Sequence, residues 1–272
     1  MRCAISSERK VEITKENIDT YLKAVAKEYR KLIGKTMPAE LILIGGASIL
    51  INYGFRGATT DVDALIQANS SMKDAINRVG DQYDLPNGWL NADFMKTSSY
   101  TPKLVRFSTY YRTFSNVLTV RTIAAEYLIA MKLRSGRVYK KDLSDVLGIL
   151  AEHETKGTPI SMEQIQKAVM DLYGGWSELS ESARNFIQRA MENGSFAKQY
   201  EAIAEGEQQA QEALIAFQEE YPGVMTTDNV ESIAHTLAAR ESVLAQLRKP
   251  KTKESEQTEK KEKRLKKNDL ER

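Results

Sequence analysis

Asp61 and Asp63 stand one residue apart in TTDVDALI, and Gly45-Gly46 close the run LILIGG shortly upstream. Residues i and i+2 of a strand project to one face, so the two carboxylates share a side while Val62 and Ala64 face the core. Two carboxylates about 7 Å apart along a strand repel each other unless a cation sits between them. A hard divalent ion such as Mg2+, with phosphate oxygens filling its shell, suits that arrangement. In-line phosphoryl or nucleotidyl displacement is the chemistry that such ions serve. The glycine pair follows an apolar run, where positive φ and close approach of a ligand are both available to it. Its N–H groups and the start of the next helix then form an anion site suited to a nucleoside triphosphate. Ser48 adds a hydroxyl and Arg56 a guanidinium. The loop is neither a P-loop, since no Lys-Ser/Thr follows at the required spacing, nor a G-x-G-x-x-G dinucleotide fingerprint.

The elements that must position these residues follow from periodicity and caps. Ile18, Leu22, Val25, Tyr29 and Ile33 have helical spacing over Thr14–Ile33, closed by Gly34. Leu41–Ile44 is expected as a short buried strand, Ala47–Tyr53 as a helix and Asp61–Ile66 as a second strand. Ser71 with Asp74 resembles a capping box opening a helix toward Val79. Leu104–Tyr111 and Val117–Arg121, rich in β-branched and aromatic residues, suggest a hairpin that turns near Asn116.

Beyond Thr122 the pattern is helical, over 123–134, 142–154, 162–173, 181–193, 196–220 and 229–247. Ser161 with Gln164 and Asp228 with Glu231 mark two of the starts. The fold class is therefore α+β, a small mixed β-sheet followed by a helical C-terminal half. The expected division is a domain over 1–150, a helical region over 151–248 and a disordered charged tail over 249–272.

The net charge of +2 conceals a polar distribution of charge. Residues 94–141 hold ten basic side chains and one acidic, Glu126, whereas residues 142–248 hold seven basic and eighteen acidic. The basic stretch carries Lys96, Lys103, Arg106, Arg112 and Arg121, interleaved with Tyr100, Phe107, Tyr110 and Tyr111. That pattern suits a nucleotide or RNA groove, and equally it complements the acidic helical half. Cys3 is the single cysteine, which excludes an intrachain disulfide. With no membrane-length apolar run and no apolar stretch among the first residues, a cytoplasmic protein is expected. Trp89 and Trp176 are expected as packing anchors.

Gly45-Gly46-Ala47-Ser48 followed by Asp61-Val62-Asp63 resembles the signature of the DNA polymerase β-like nucleotidyltransferase superfamily. The longer string IGGASILINYGFRGATTDVDALI is similar to a bacterial branch related to the nucleotidyltransferase toxins of abortive-infection toxin–antitoxin systems. The resemblance covers roughly residues 40–150. It implies an NTP substrate with Mg2+ held by Asp61 and Asp63, an acceptor hydroxyl on RNA (tRNA) or protein, and an antitoxin partner. It also implies a second cluster, Lys132 followed by Lys141-Asp142-Leu143-Ser144-Asp145, in which Lys132 contacts phosphate and Asp142 assists the metal or the attacking group. The residues themselves add that Lys132 shares a helix face with Ala125, Leu128 and Ile129, where a lysine needs an anionic partner. Asp142 and Asp145 read equally as a helix cap and its acidic first turn. Members of the superfamily place a third carboxylate on a later strand. Residues 94–125 contain no Asp or Glu, which leaves Asp93 or the Asp142 cluster for that position. The alternative is a catalytically degraded module that keeps the fold for binding or regulation.

Overall fold

A computed structural model of the chain describes residues 11–137, 140–226 and 229–237. The tail expected over 249–272 lies outside the described residues, as do Asp228 and everything beyond 237 in the last expected helix.

The chain opens with a two-residue strand, β1 (Ile13–Thr14), and α1 (Lys15–Ile33). Asn17 accepts a hydrogen bond from Thr14 N at 2.9 Å, which starts the helix, and Gly34 at φ +73° ends it. Then come β2 (Ala39–Leu43), α2 (Gly45–Asn52), β3 (Ala58–Thr59) and β4 (Val62–Gln67). Next are α3 (Ser71–Gln82) and β5 (Leu90–Asn91). Asn69, rather than Ser71, caps α3 by accepting from Ser71 N at 3.1 Å.

The expected hairpin exists as β6 (Ser108–Phe114) and β7 (Leu118–Ile123), turning through Ser115 and Asn116, both at positive φ. Its first strand starts later than the composition suggests. Residues Pro102–Phe107 form a 3-10 turn, because Pro102 fixes φ at the first turn position and Thr101 caps it by accepting from Lys103 N.

Five strands form one mixed sheet in the order β5-β4-β2-β7-β6. The β2–β4 and β6–β7 pairs are antiparallel, and β2–β7 and β4–β5 are parallel. The two short strands β1 and β3 pair separately. Alternation along the strands splits the core into two layers. Leu41, Leu43, Val62, Ala64, Leu118 and Val120 pack with α1 and α3, while Ile42, Ile44, Leu65 and Ile123 pack with the later helices. Trp89 is buried in the first layer, its indole N–H donating to Ile76 O at 3.2 Å. Trp176 is partly buried against the second.

The helical half comprises α4 (Ala125–Ser135), α5 (Asp142–Thr155), α6 (Met162–Tyr173), α7 (Glu181–Asn193) and α8 (Phe196–Glu220). Ser161 and Gln164 form the expected reciprocal cap on α6. The α+β reading therefore holds, with strands early and helices late. The chain divides into two units, with the boundary between Glu207 and Gln208 inside α8. The second unit comprises the rest of α8 and, among the described residues, a helical stretch over 230–237.

Candidate active site

Asp63 sits on the second-layer face of β4, in alternation with buried Val62 and Ala64 and on the side shared by Leu65. Sheet alternation thus aims it at the face covered by α4 and α5. Antiparallel pairing sets Leu43 of β2 opposite Ala64, and Ile44 N donates to Asp63 O at 2.9 Å. That register lays the start of α2 directly beside the carboxylate. A Cβ on Gly45 would lie 3.9 Å from Asp63 Oδ2, and Gly45 holds φ at +53°, the left-handed region that favours glycine.

Gly46 serves a different end. A Cβ there would stand 2.8 Å from a guanidinium nitrogen of Arg56 and 2.8 Å from Thr59 Oγ1. The missing side chain is the space into which Arg56 fits. The glycines are not a loop ahead of the helix, because they form its first turn. No side chain caps that turn and it contains no acidic residue. Its first amides lack an intrahelical acceptor and lie at the positive end of the helix dipole.

Asp61 precedes β4 and is exposed, with Thr60 Oγ1 3.5 Å from its Oδ1. Among the described residues neither Asp61 nor Asp63 forms an ion pair. Burial pushes the Asp63 carboxyl above its ordinary range; Asp61 and Asp93 push it further, while Arg137 and Lys132 pull it back. Asp93 follows β5, which pairs in parallel with β4 so that Asn91 stands opposite Asp63. Its carboxylate pairs with Lys96 at 2.6 Å in an exposed position.

A buried ionic cluster lies on the adjoining helices. Lys132 Nζ is 2.8 Å from both Asp142 Oδ1 and Asp145 Oδ2. Arg137 donates through Nε to Asp142 Oδ2 at 2.9 Å, and Arg56 Nη1 meets Asp145 Oδ2 at 2.6 Å. Burial alone would lower the Lys132 pKa, but Asp145 and Asp142 outweigh it and hold the ammonium charged. Asp142 is held well below the carboxylate range, because Lys132 and Arg137 overcome a burial effect of opposite sign. Asp142 and Asp145 stand in the first turn of α5, but Lys141 rather than Asp142 occupies the N-cap position, and both carboxylates are partners in this cluster.

Ser48 is fully buried, and its Oγ accepts from Ile123 N at 3.2 Å, so its hydroxyl ties α2 to the end of β7. Much of the basic stretch meets the protein's own acids, as in Arg112–Asp19 at 2.6 Å and Arg134–Glu178 at 3.4 Å. Lys103 and Arg106, on the 3-10 turn, and Lys140 and Lys141, before α5, are exposed and form no ion pair among the described residues.

Residues 20–188 match the model of a family described as nucleotidyltransferase of unknown function (DUF6036). The chain belongs to this nucleotidyltransferase family. No curated protein and no solved structure matches it. The matched span runs from within α1 to within α7, so it includes the glycine turn, both strand aspartates and the ionic cluster.

The Arg56 partner of Asp145 and the whole of Glu207 escape a reading by motif. Asp145 joins Arg56 to Lys132, which spacing cannot show because Arg56 comes from a loop 89 positions away. Glu207 of α8 accepts hydrogen bonds from Leu143 N at 2.9 Å and Ser144 N at 3.3 Å. It did leave a signal. Tyr200, Ile203 and Glu207 have the spacing of one buried helix face, and an acid in that stripe needs a partner.

Among the described residues no group of three or more His, Cys, Asp or Glu side chains stands ready to hold a metal. Also among them, no helix is long and apolar enough to cross a membrane.

Proposed function

We propose that this chain transfers a nucleotidyl group from a nucleoside triphosphate, with Mg2+, to an acceptor hydroxyl on RNA or protein. The observation that carries the reading is Asp63 Oδ2 against Gly45, at the uncapped first turn of α2. One helix start thereby presents amide donors for phosphates beside a carboxylate for a metal.

The donor set fits Mg2+. Asp61 and Asp63 offer hard oxygen ligands, and the field of Arg137 and Lys132 offsets only part of the burial and repulsion that raise Asp63. Bound there, the ion would neutralise the phosphate oxygens as charge develops on them. The amides of Gly46 and Ala47 would hold the triphosphate, and Arg56 beside Gly46 would orient it. In the transfer, an acceptor hydroxyl oxygen would bond to the α-phosphorus and give up its proton to water, while the bond from that phosphorus to the oxygen bridging to the β-phosphate breaks and pyrophosphate leaves. Lys132 would act through field rather than contact, since both its carboxylate partners are already in place. Exposed Lys103, Arg106, Lys140 and Lys141 favour a polyanionic acceptor such as RNA.

The likeness to abortive-infection toxins extends the proposal to a toxin with an antitoxin partner. A second reading, a binding module without turnover, is favoured by Asp93, which is paired with Lys96 rather than joined to Asp61 and Asp63 in a metal-holding group. Incubation with Mg2+, each α-phosphate-labelled triphosphate and total RNA or protein tests both. Label in an acceptor that disappears in Asp63→Asn supports transfer. Tight triphosphate binding with no labelled acceptor supports the module.

A further inference from the structure

We infer that Glu207 is a positioning residue, which clamps the first turn of α5 from α8 and so sets the Asp145–Arg56 and Asp145–Lys132 pairs beside the nucleotide site. The functional half of this inference rests on the reading just proposed.

The first turn of α5 needs an outside partner. Lys141 occupies its N-cap position without contributing a side-chain bond, and the turn it opens is buried. Glu207 Oε1 satisfies two of the orphan amides, Leu143 N and Ser144 N. That turn also supplies Asp142 and Asp145. Seven residues earlier on the same α8 face, Tyr200 stacks edge-on against Phe55 at 5.5 Å and donates to Phe55 O at 3.4 Å. Phe55 adjoins Arg56, so Tyr200 and Glu207 brace the two segments whose meeting point is the Arg56–Asp145 pair.

The clamp is sensitive to its own charge. Glu207 is 6% exposed and its Oε2 has no hydrogen-bond partner. The groups facing it are the Ser144 hydroxyl and Asp145 from α5 and Tyr200 from α8, and Tyr200 in turn feels the charge of Arg56. Burial pushes the carboxyl up to about 7, and Asp145 adds to the rise against the opposing bonds from Leu143 and Ser144. A neutral carboxyl tolerates the bare Oε2, whereas an ionised one places a second negative charge beside Asp145. Because the folded pKa is raised, the stabilisation is complete below the unfolded value near 4.5 and is lost as pH rises through about 7.

The test uses the full chain, Glu207→Gln and Glu207→Ala, with melting temperature read at pH 5 and pH 8 and affinity for each Mg2+-bound triphosphate read at both. Glu207→Gln keeps an acceptor for the two amides and cannot ionise. The native chain should lose about 4 °C or more relative to Glu207→Gln between the two pH values. Its triphosphate affinity should fall at least threefold over the same interval, while that of Glu207→Gln stays level. Glu207→Ala should melt below both at pH 5. If Glu207→Gln retains the native pH slope, or fails to fold, the clamp is wrong. A flattened melting slope with unchanged pH dependence of affinity would reduce Glu207 to a helix cap and overturn the positioning role. If no protein binds any triphosphate yet the melting slopes differ as expected, the nucleotide-site reading fails and the clamp on α5 stands.

Discussion

Arg56 Nη1 lies 2.6 Å from Asp145 Oδ2, joining the loop after the glycine turn to the first turn of α5. The same carboxylate oxygen lies 2.8 Å from Lys132, so one oxygen holds two cations in a nearly dry site. Asp145→Asn leaves both without their shared anion, and breaking a buried pair in this way costs about 3–5 kcal/mol. Chemical denaturation should show a loss of that size whether or not nucleotide is present. A loss below about 1 kcal/mol would mean that the cluster is solvated.

Gly46→Ala and Gly45→Ala should fail differently. At Gly46 the new methyl meets Arg56 and Thr59 at 2.8 Å, so the guanidinium must leave its place. Overpacking of this kind costs roughly 1–3 kcal/mol, and triphosphate affinity should fall with it. At Gly45 the space is open but the φ of +53° is not, which costs about 1 kcal/mol. Paired stability and nucleotide-binding measurements separate the two, with Gly46→Ala losing more binding.

Asp61→Asn and Asp63→Asn should leave the metal-free protein as stable as before, or more so, near neutral pH. The raised pKa of Asp63 means that its contribution is present at low pH and is lost as the carboxyl ionises, a loss the amide does not suffer. Both variants should forfeit the gain from Mg2+ plus triphosphate, about 2.7 kcal/mol at ligand a hundred times its dissociation constant. Thermal melts with and without ligand decide this. Variants that melt lower when free and still respond to nucleotide would end the metal-site reading.

Gly148→Ala probes the loop that carries Arg56. A Cβ at Gly148 on α5 would come within 2.6 Å of the Phe55 ring. The ring must move, at roughly 1–3 kcal/mol, and Arg56 next to it should follow. Weakened triphosphate binding, beyond that of a surface Gly→Ala control such as Gly206→Ala, is the expected result. Unchanged binding would show that the loop holds Arg56 independently of Phe55.

The sequence alone determined the elements and the principal motif. The 3.6-residue stripes of α1, α6 and α7 are legible because each helix has one dry face, and the α6 cap is legible because Ser161 and Gln164 act within a single turn. The alternation of Asp63 with buried Val62 and Ala64 followed from strand periodicity alone, although β4 begins at Val62 and leaves Asp61 just ahead of it, and Gly45-Gly46 followed from their place after a buried strand. Only the tertiary structure decided which side of the sheet Asp63 faces, since both faces are covered and alternation distinguishes two sides without naming them. It also decided where the charges go. Lys132, Asp142, Asp145, Arg56 and Glu207 come from three helices and a loop, and a buried charge takes its partner from whatever packs against it, not from its sequence neighbours. Ser48 shows the same limit, because its hydroxyl turned to Ile123 N at the end of β7, a contact set by parallel β2–β7 pairing across 75 positions of chain.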